Sequence, residues 1–303
     1  MNLTSFPDVL YNKIIIIKRR EIMEIPAYIL LTLVLIGFVL LFWGLFEASW
    51  LKVTRDRLIL GTADDTPDLH ILYFSDLHRE FCPIPSGKVT KLIRKEHMTR
   101  GLDAVIFGGD ICNSHGHALN GLKYLESIAE VCRELSVPYM AVTGNHDAGV
   151  PGEELGMFSF DNMDNCIKYL KSRRDGRYIA FAGVPDTGRK NRVWAVPPTP
   201  GAGIDYKAYI LLSHNPDLSL HMPQDLPFKV DAMLSGHIHG GQIRTPFKLE
   251  FYLRHDELPY KGVISGLHEI NGIKVFISKG IGCVLLPIRF GARPEVNLID
   301  IFS

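Results

Sequence analysis

The run DLHILYFSDLH, residues 68–78, passes from apolar strand formers straight into aspartate and histidine. The same form returns four times, in GLDAVIFGGD (101–110), SVPYMAVTGNHD (136–147), YKAYILLSHNPD (206–217) and VDAMLSGHIHG (230–240). A short continuous apolar run bounded by polar residues reads as a strand buried on both faces. Each of these five ends by delivering histidines or carboxylates at its carboxyl end. Between them lie helical patterns, clearest in ALNGLKYLESIAEVCREL (118–135), where Leu122, Leu125, Ile128, Ala129 and Cys132 fall on one face. Buried strands alternating with helices predict a layered α/β fold, and the carboxyl ends of such strands are where an open sheet forms its crevice. The Pro- and Gly-rich stretch 183–203 reads as a loop over the rim of that crevice. The C-terminal third, through GLHEINGIKVFISKGIG to PEVNLIDIF, reads as strands and turns that complete a second sheet.

Asp76 and His78 lie two apart, as do His237 and His239. On an extended strand such residues point to the same side, so the first pair converges on one ion and the second reaches one site or two adjacent ones. Asp110, Asn145 and His214 complete an inventory of seven protein ligands. Carboxylates, imidazoles and an amide carbonyl form a borderline donor set that suits manganese first, with iron or zinc also fitting, rather than calcium. Two divalent metal ions match seven ligands better than one, with Asp110 able to bridge. Ions about 3.5–4 Å apart clamp a phosphoryl group and lower the pKa of a shared water. His115, His117, His221, His255 and His268 stand outside this company and read as surface or helix-cap histidines, the first two close enough to Asp110 to reach the rim.

Residues 25–46 contain no charged residue in 22 positions. At about 1.5 Å per residue that length crosses a bilayer, and few core helices stay apolar on every face for so long. The organisation expected is a basic N-terminal segment (1–24), a transmembrane anchor (25–46), a connector (47–67) and a catalytic domain (68–303). Lys13, Lys18, Arg19 and Arg20 precede the apolar run while Lys52, Arg55 and Arg57 follow it, so the charge bias leans faintly toward an exported domain. The five cysteines form no CxxC pair, and Cys132 reads as core. The 33 basic residues balance the 33 acidic ones, which disfavours nucleic acid as a partner.

The clusters Asp76-Leu77-His78, Gly109-Asp110, Gly144-Asn145-His146-Asp147, His214 and Gly236-His237-Ile238-His239 resemble the signature of the calcineurin-like metallophosphoesterases. The likeness spans Asp68 to the C-terminus. SGHIHGGQI and LPIRFGARPEV look like the membrane-associated or exported bacterial branch that contains YkuE and YaeI. The resemblance implies a four-layer αββα fold of two mixed β-sheets flanked by helices, here behind the N-terminal transmembrane helix. Carried over by position, Asp76, His78, Asp110 and His239 would hold one metal, and Asp110, Asn145, His214 and His237 the other. His146 would not be a ligand but would sit near the leaving group, either donating a proton to it or stabilising its charge, with Asp147 nearby to orient its ring.

The family's chemistry names the bond and not the substrate. An anchored enzyme gains effective concentration toward a lipid-linked phosphodiester or pyrophosphate, which makes the bilayer and such a lipid the expected partners. The concrete candidate is hydrolysis of UDP-2,3-diacylglucosamine to UMP and 2,3-diacylglucosamine 1-phosphate, in lipid A synthesis at the cytoplasmic face of a bacterial inner membrane. An extracytoplasmic phosphodiesterase acting on envelope lipid or polymer is the alternative, and a non-catalytic tethered scaffold a third. Arg79 is a candidate phosphate contact. Phe158, Phe160 and Met163 read either as an acyl groove or as core, and Arg289 and Arg293 as supports of the C-terminal strands.

Overall fold

The computed structural model describes residues 6–147, 160–186, 194–252 and 256–303, and the chain divides into two compact units, Met1–Gly44 and Leu45–Ser303. The first consists of most of one long helix, α1, which runs Phe6–Ser49 and therefore begins well upstream of the apolar run. Within α1, Pro26–Ser49 is long and apolar enough to cross a membrane by length and composition, a test that a signal sequence near an N-terminus also passes. Its apolar residues from Tyr28 to Trp43 are exposed around the whole helix.

The second unit is built on two six-stranded sheets. In the first, β1 (Lys52–Ile59), β12 (Glu295–Phe302), β2 (Leu69–Phe74), β3 (Ala104–Phe107), β4 (Tyr139–Ala141) and β5 (Asp161–Asn162) lie in that order. In the second the order is β10 (Gly266–Ile270), β11 (Ile273–Ile277), β9 (Ala232–Ser235), β8 (Tyr206–Ser213), β7 (Tyr178–Val184) and β6 (Ile167–Lys171). Both sheets are mixed. Strands β2 to β5 run parallel, while β12 is antiparallel to β2 and parallel to β1. In the second sheet β7, β8, β9 and β11 run parallel, with β6 and β10 antiparallel at the edges.

The layers follow from which side chains each strand buries. Ile71, Tyr73 and Ile106 of the first sheet meet Phe181, Ile210, Leu234 and Phe276 of the second in one cluster, so the sheets pack face to face. Leu72, Phe74 and Val105, on the opposite face of the first sheet, are covered by helices α2 (Ser86–Arg100) and α3 (Ala118–Glu134). The α3 stripe of Leu122, Leu125, Ile128, Ala129 and Cys132 is buried as its spacing predicts. On the far side of the second sheet, Tyr209, Leu211 and Met233 are covered more thinly, by Leu218 and Leu258 of short helical turns. Each fully buried aliphatic or aromatic side chain contributes about 1.5–3 kcal/mol relative to exposure. The arrangement is the expected αββα one.

Two expectations change. PEVNLIDIF forms β12, which joins the first sheet rather than the second. The segment expected as a connector contains β1, whose half-exposed sequence KVTRDRLI lacks the apolar continuity of a buried strand. It is legible only as an edge: it pairs with β12 along its whole length, and its charged residues suit a sheet border.

Asp68, at the amino end of β2, closes the unit opposite the strand ends that carry the motifs. Its buried carboxylate accepts from Ser172 Oγ (2.5 Å), from the backbone N–H of the C-terminal Ser303 (2.7 Å), and from Lys207, whose side chain is also buried. Burial pushes the carboxyl up, but Lys207, Ser172 and Ser303 outweigh it and hold it below the ordinary aspartate value. A depressed folded-state value adds stability above the unfolded pKa, and this is lost as pH falls through the folded one. Asp68→Asn is therefore expected to cost about 1–3 kcal/mol at neutral pH, because Lys207 loses its buried partner and keeps the exposed Asp175. Denaturant unfolding of both proteins at neutral and acid pH should show that gap narrow once the pH drops below about 4.

Candidate metal centre

The five motifs sit on two different sheets. SDLH follows β2, GGD follows β3 and GNHD follows β4, all in the first sheet; SHNP follows β8 and GHIHGG follows β9, in the second. Face-to-face packing brings the carboxyl ends of both sets together. Asp76, His78 and His239 form one buried triad whose ligand atoms all lie within 4.8 Å of one another, and Asp110, His214 and His237 form another. Asp110 Oδ2 lies 3.3 Å from His78 Nε2 and 3.0 Å from His214 Nε2, between the two groups. His237 and His239 thus part company, one to each triad.

They do so because the strand ends are not extended. Asp76 (φ 54°), His78 (φ 37°), Asp110 (φ 63°), His237 (φ 69°) and His239 (φ 55°) all occupy positive φ. The alternation rule for strands does not apply there, although it named the right residues. Each such residue costs about 1–3 kcal/mol and persists only where its surroundings over-determine it. Here the turns hold one another. Asp76 N–H donates to the Gly109 carbonyl (2.8 Å), His78 N–H to the Asp110 carbonyl (3.1 Å), and His237 N–H to Asp76 Oδ1 (2.9 Å). A Cβ at Gly144 would collide with Asp110 Oδ1, and one at Gly236 with Asp76 Oδ2, so both glycines are required by close approach.

The imidazoles are oriented from behind. His214 Nδ1–H donates to the Gly108 carbonyl at 2.7 Å, which turns Nε2 toward Asp110. His237 pairs through Nε2 with Asp256 Oδ1 at 3.1 Å and presents Nδ1 toward His214. Arg289, fully buried, donates to the carbonyls of Gly282 and Ala292 and places Nη2 3.4 Å from His239 Nδ1. Such outer partners fix tautomer and ring direction at metal sites. Asp256 carries no motif signal in RHDEL. Arg289 does more than support strands: it staples the 280–292 segment to the GHIHGG turn.

Electrostatics make the cluster a cation site. Burial lowers the pKa of His214, but Asp110 overrides it and holds the imidazole well above its ordinary value, while Asp110 lies well below the usual carboxylate range. A proton held between imidazole and carboxylate is what a divalent ion displaces on binding. Asn145 Oδ1 is buried with no hydrogen-bond partner, a donor-free oxygen of the kind a cation satisfies. The residues present therefore fit two ions, with carboxylate, imidazole and amide oxygen available to them.

His146 lies beside this cluster, half-buried, its ring 5.0 Å from that of His78 in an edge-on arrangement. Its N–H donates to Asp110 Oδ1 (2.9 Å) and its Nδ1 lies 3.3 Å from the Asn113 carbonyl. Asp147 does not orient that ring. Both of its oxygens accept backbone N–H groups, of Asp110, Ile111 and Gly144, each at 2.8 Å, and so clasp the GNHD turn onto the GGD turn. Burial first, and the charge of Asp110 second, push its carboxyl up to about 7.

The remaining candidates separate cleanly. The Arg79 guanidinium stands over the Tyr124 ring and donates to the Cys82 carbonyl. His117 pairs with Ser114 and Glu80 at the start of α3, His221 stacks on Trp194, and His268 meets the Ser265 carbonyl. Phe160 and Met163 belong to the packed interior. The side chain of His115, together with Phe158 and His255, lies outside the described residues.

Residues 69–241 match the sequence model of the calcineurin-like phosphoesterases. The chain belongs to that family. It is a metal-dependent phosphoesterase with two triads that support a dinuclear site. The uncharacterized metallophosphoesterase YkuE of Bacillus subtilis is 28% identical over 242 residues, 77% of this chain and 79% of its own. Phosphodiesterase YaeI of Escherichia coli is 26% identical over 297 residues, covering 94% of this chain and 99% of its own. The solved sulfate thiohydrolase SoxB of Thermus thermophilus aligns with 79% of this chain and 58% of its own at a TM-score of 0.43 and 16% identity.

Asp110→Ala is expected to abolish the binding of both ions in a manganese titration of the apoprotein. Asp256→Asn, which keeps the shape but weakens the brace on His237, should loosen affinity about 10–100-fold. Equal affinity in wild type and Asp256→Asn would show that the brace does not bear on the site.

Proposed function

We propose that this chain is a single-pass inner-membrane phosphohydrolase of the YkuE/YaeI branch. Its substrate is a lipid-linked pyrophosphate, most concretely UDP-2,3-diacylglucosamine, which it hydrolyses to UMP and 2,3-diacylglucosamine 1-phosphate. The observation that carries this reading is the pairing of a two-triad phosphoesterase site with an apolar helix fit for a bilayer in one chain. In the domain order read from the sequence, residues 25–46 anchor the chain and 68–303 carry the chemistry.

Asp76, His78, Asp110 and His239 would hold one ion, and Asp110, Asn145, His214 and His237 the other, with manganese the preferred metal. When bound, the ions supply Lewis acidity toward phosphoryl oxygens and make a water acidic enough to attack near neutral pH. The chain's own groups do the rest. Asp110 turns Oδ2 toward both triads because Oδ1 is held by the His146 N–H. His146, with Nδ1 at the Asn113 carbonyl, has Nε2 as the nitrogen that delivers a proton to the departing oxygen. Asp147 keeps that turn in place through three backbone bonds.

A second reading is favoured by the charges flanking the apolar run, which lean toward an exported domain. In it the chain is an extracytoplasmic phosphodiesterase of envelope lipid or polymer, in keeping with the phosphodiesterase name that YaeI carries.

Detergent-solubilised protein with Mn²⁺ is expected to release UMP and 2,3-diacylglucosamine 1-phosphate from UDP-2,3-diacylglucosamine, and Asp110→Ala to release neither. His146→Ala should keep its metals while turnover falls ~10²–10⁴-fold. Should the lipid stay intact while the same preparation cleaves bis(p-nitrophenyl) phosphate, the pyrophosphatase reading fails. Reporter fusions on either side of residues 25–46 then decide for or against the exported phosphodiesterase.

A further inference from the structure

Three segments, two of them joined to the metal centre and the third to one of these, expose large apolar side chains. On the loop after the GHIHGG turn, Phe247 is 90% exposed and Leu249 55%; on the loop after Cys283, Leu285 is 78% exposed and Leu286 54%. Both loops are fastened to the centre and to each other. Gln242, three residues past His239, donates through its amide to the carbonyls of Val284 and Leu286 and accepts the Val284 N–H. Arg244 N–H donates to the Phe290 carbonyl, and Arg289 joins the second loop to His239.

The third segment is the last turn of α1, Leu45–Ser49, with Trp50, all within the globular unit. It is locked onto the second loop. Buried Glu47 accepts the Ala292 N–H at 2.9 Å, and the Arg293 guanidinium lies 3.7 Å over the Trp50 ring and donates to the Trp50 carbonyl. Leu45, Phe46 and Trp50 remain exposed.

Charge on these segments is mostly of one sign. Arg244, Lys248 and Lys52 are exposed and Arg293 is half-exposed, whereas the acids within 45–52, 242–250 and 284–293 are the buried Glu47 and the half-exposed Glu250, whose carboxylate is held by Thr245. Phe247, Lys248 and Leu285 are moreover held at positive φ (66°, 58° and 64°) with their side chains in solvent. A bulky residue strained into that conformation gains nothing from the chain itself there. Apolar side chains set among an excess of cations are the composition of a surface that lies in the headgroup region of an anionic bilayer. The occupant is also argued by covalent continuity: the apolar span Pro26–Ser49 ends one residue before Trp50.

We propose that Phe247, Leu249, Leu285 and Leu286, with Trp50 and the cations around them, form an interfacial surface that seats in the membrane and opens the metal centre onto phosphate carried by lipids. This rests on the reading of α1 as an anchor. It explains how a soluble-looking catalytic fold takes a substrate that need not leave the bilayer.

The test uses the full chain reconstituted in vesicles of phosphatidylcholine and phosphatidylglycerol in equal amounts, with Phe247→Trp and the control Val196→Trp, an exposed position on the 194–205 segment. Turnover of bis(p-nitrophenyl) phosphate confirms that both variants are folded. Relative to wild type, Phe247→Trp should add a blue-shifted emission component that phosphatidylcholine brominated on its acyl chains quenches, and Val196→Trp should add none. If the protein floats with the vesicles but the emission added by Phe247→Trp is indifferent to bromine, the surface faces water and the proposal is overturned while the anchor stands. It is overturned equally if Leu285→Cys links two chains by a disulfide in place of lipid quenching, which marks the surface as a contact between copies. Protein that does not float with the vesicles overturns the anchor and this surface together.

Discussion

Asp110 Oδ2 stands 3.3 Å from His78 Nε2 and 3.0 Å from His214 Nε2, and those two histidines come from different sheets. That contact constrains most of what surrounds it. A carboxylate and several imidazoles packed out of water repel or starve one another unless a positive charge is shared among them. The cluster is suited to holding cations, and both sheets must meet at their carboxyl ends to build it. The sheet-to-sheet core of Tyr73, Ile106, Phe181, Leu212 and Phe276 supplies the apolar burial that holds those ends together.

The turns that finish the strands are strained, and the molecule answers with backbone hydrogen bonds rather than with side-chain packing. Asp147 gathers three N–H groups under the GNHD and GGD turns, His237 N–H reaches across to Asp76, and Arg289 fastens the 280–292 segment to the back of His239. Polar groups outside the two triads thus set the direction of the side chains within them. The buried Arg289 gains carbonyl partners enough to be tolerated inside.

Around this centre the surface is uneven. Among the described residues, the second sheet's outer face is covered by short helical turns, and the segments flanking the site leave Phe247, Leu285 and Leu286 in solvent. Within the globular unit, Glu47 and Trp50 are fastened to the 292–293 segment.

The sequence by itself determined the five strand ends, the seven candidate ligands and the α3 stripe, because an apolar run and the polar residues that stop it are adjacent in the chain and a helical face repeats locally. It also determined the family, since the spacing of DxH, GD, GNHD and GHxH is local too. Only the tertiary structure decided that β1 is an edge strand and that β12 enters the first sheet, because pairing across more than 200 positions leaves no mark in local periodicity. The family resemblance had assigned His237 and His239 to different ions, and the structure supplied the physical reason, positive φ at the strand ends where alternation fails. And it alone chose the partners of Asp147, Asp256 and Arg289: a buried polar group is assigned its role by whichever unsatisfied group the fold brings within reach, and that neighbour is set by packing rather than by sequence distance.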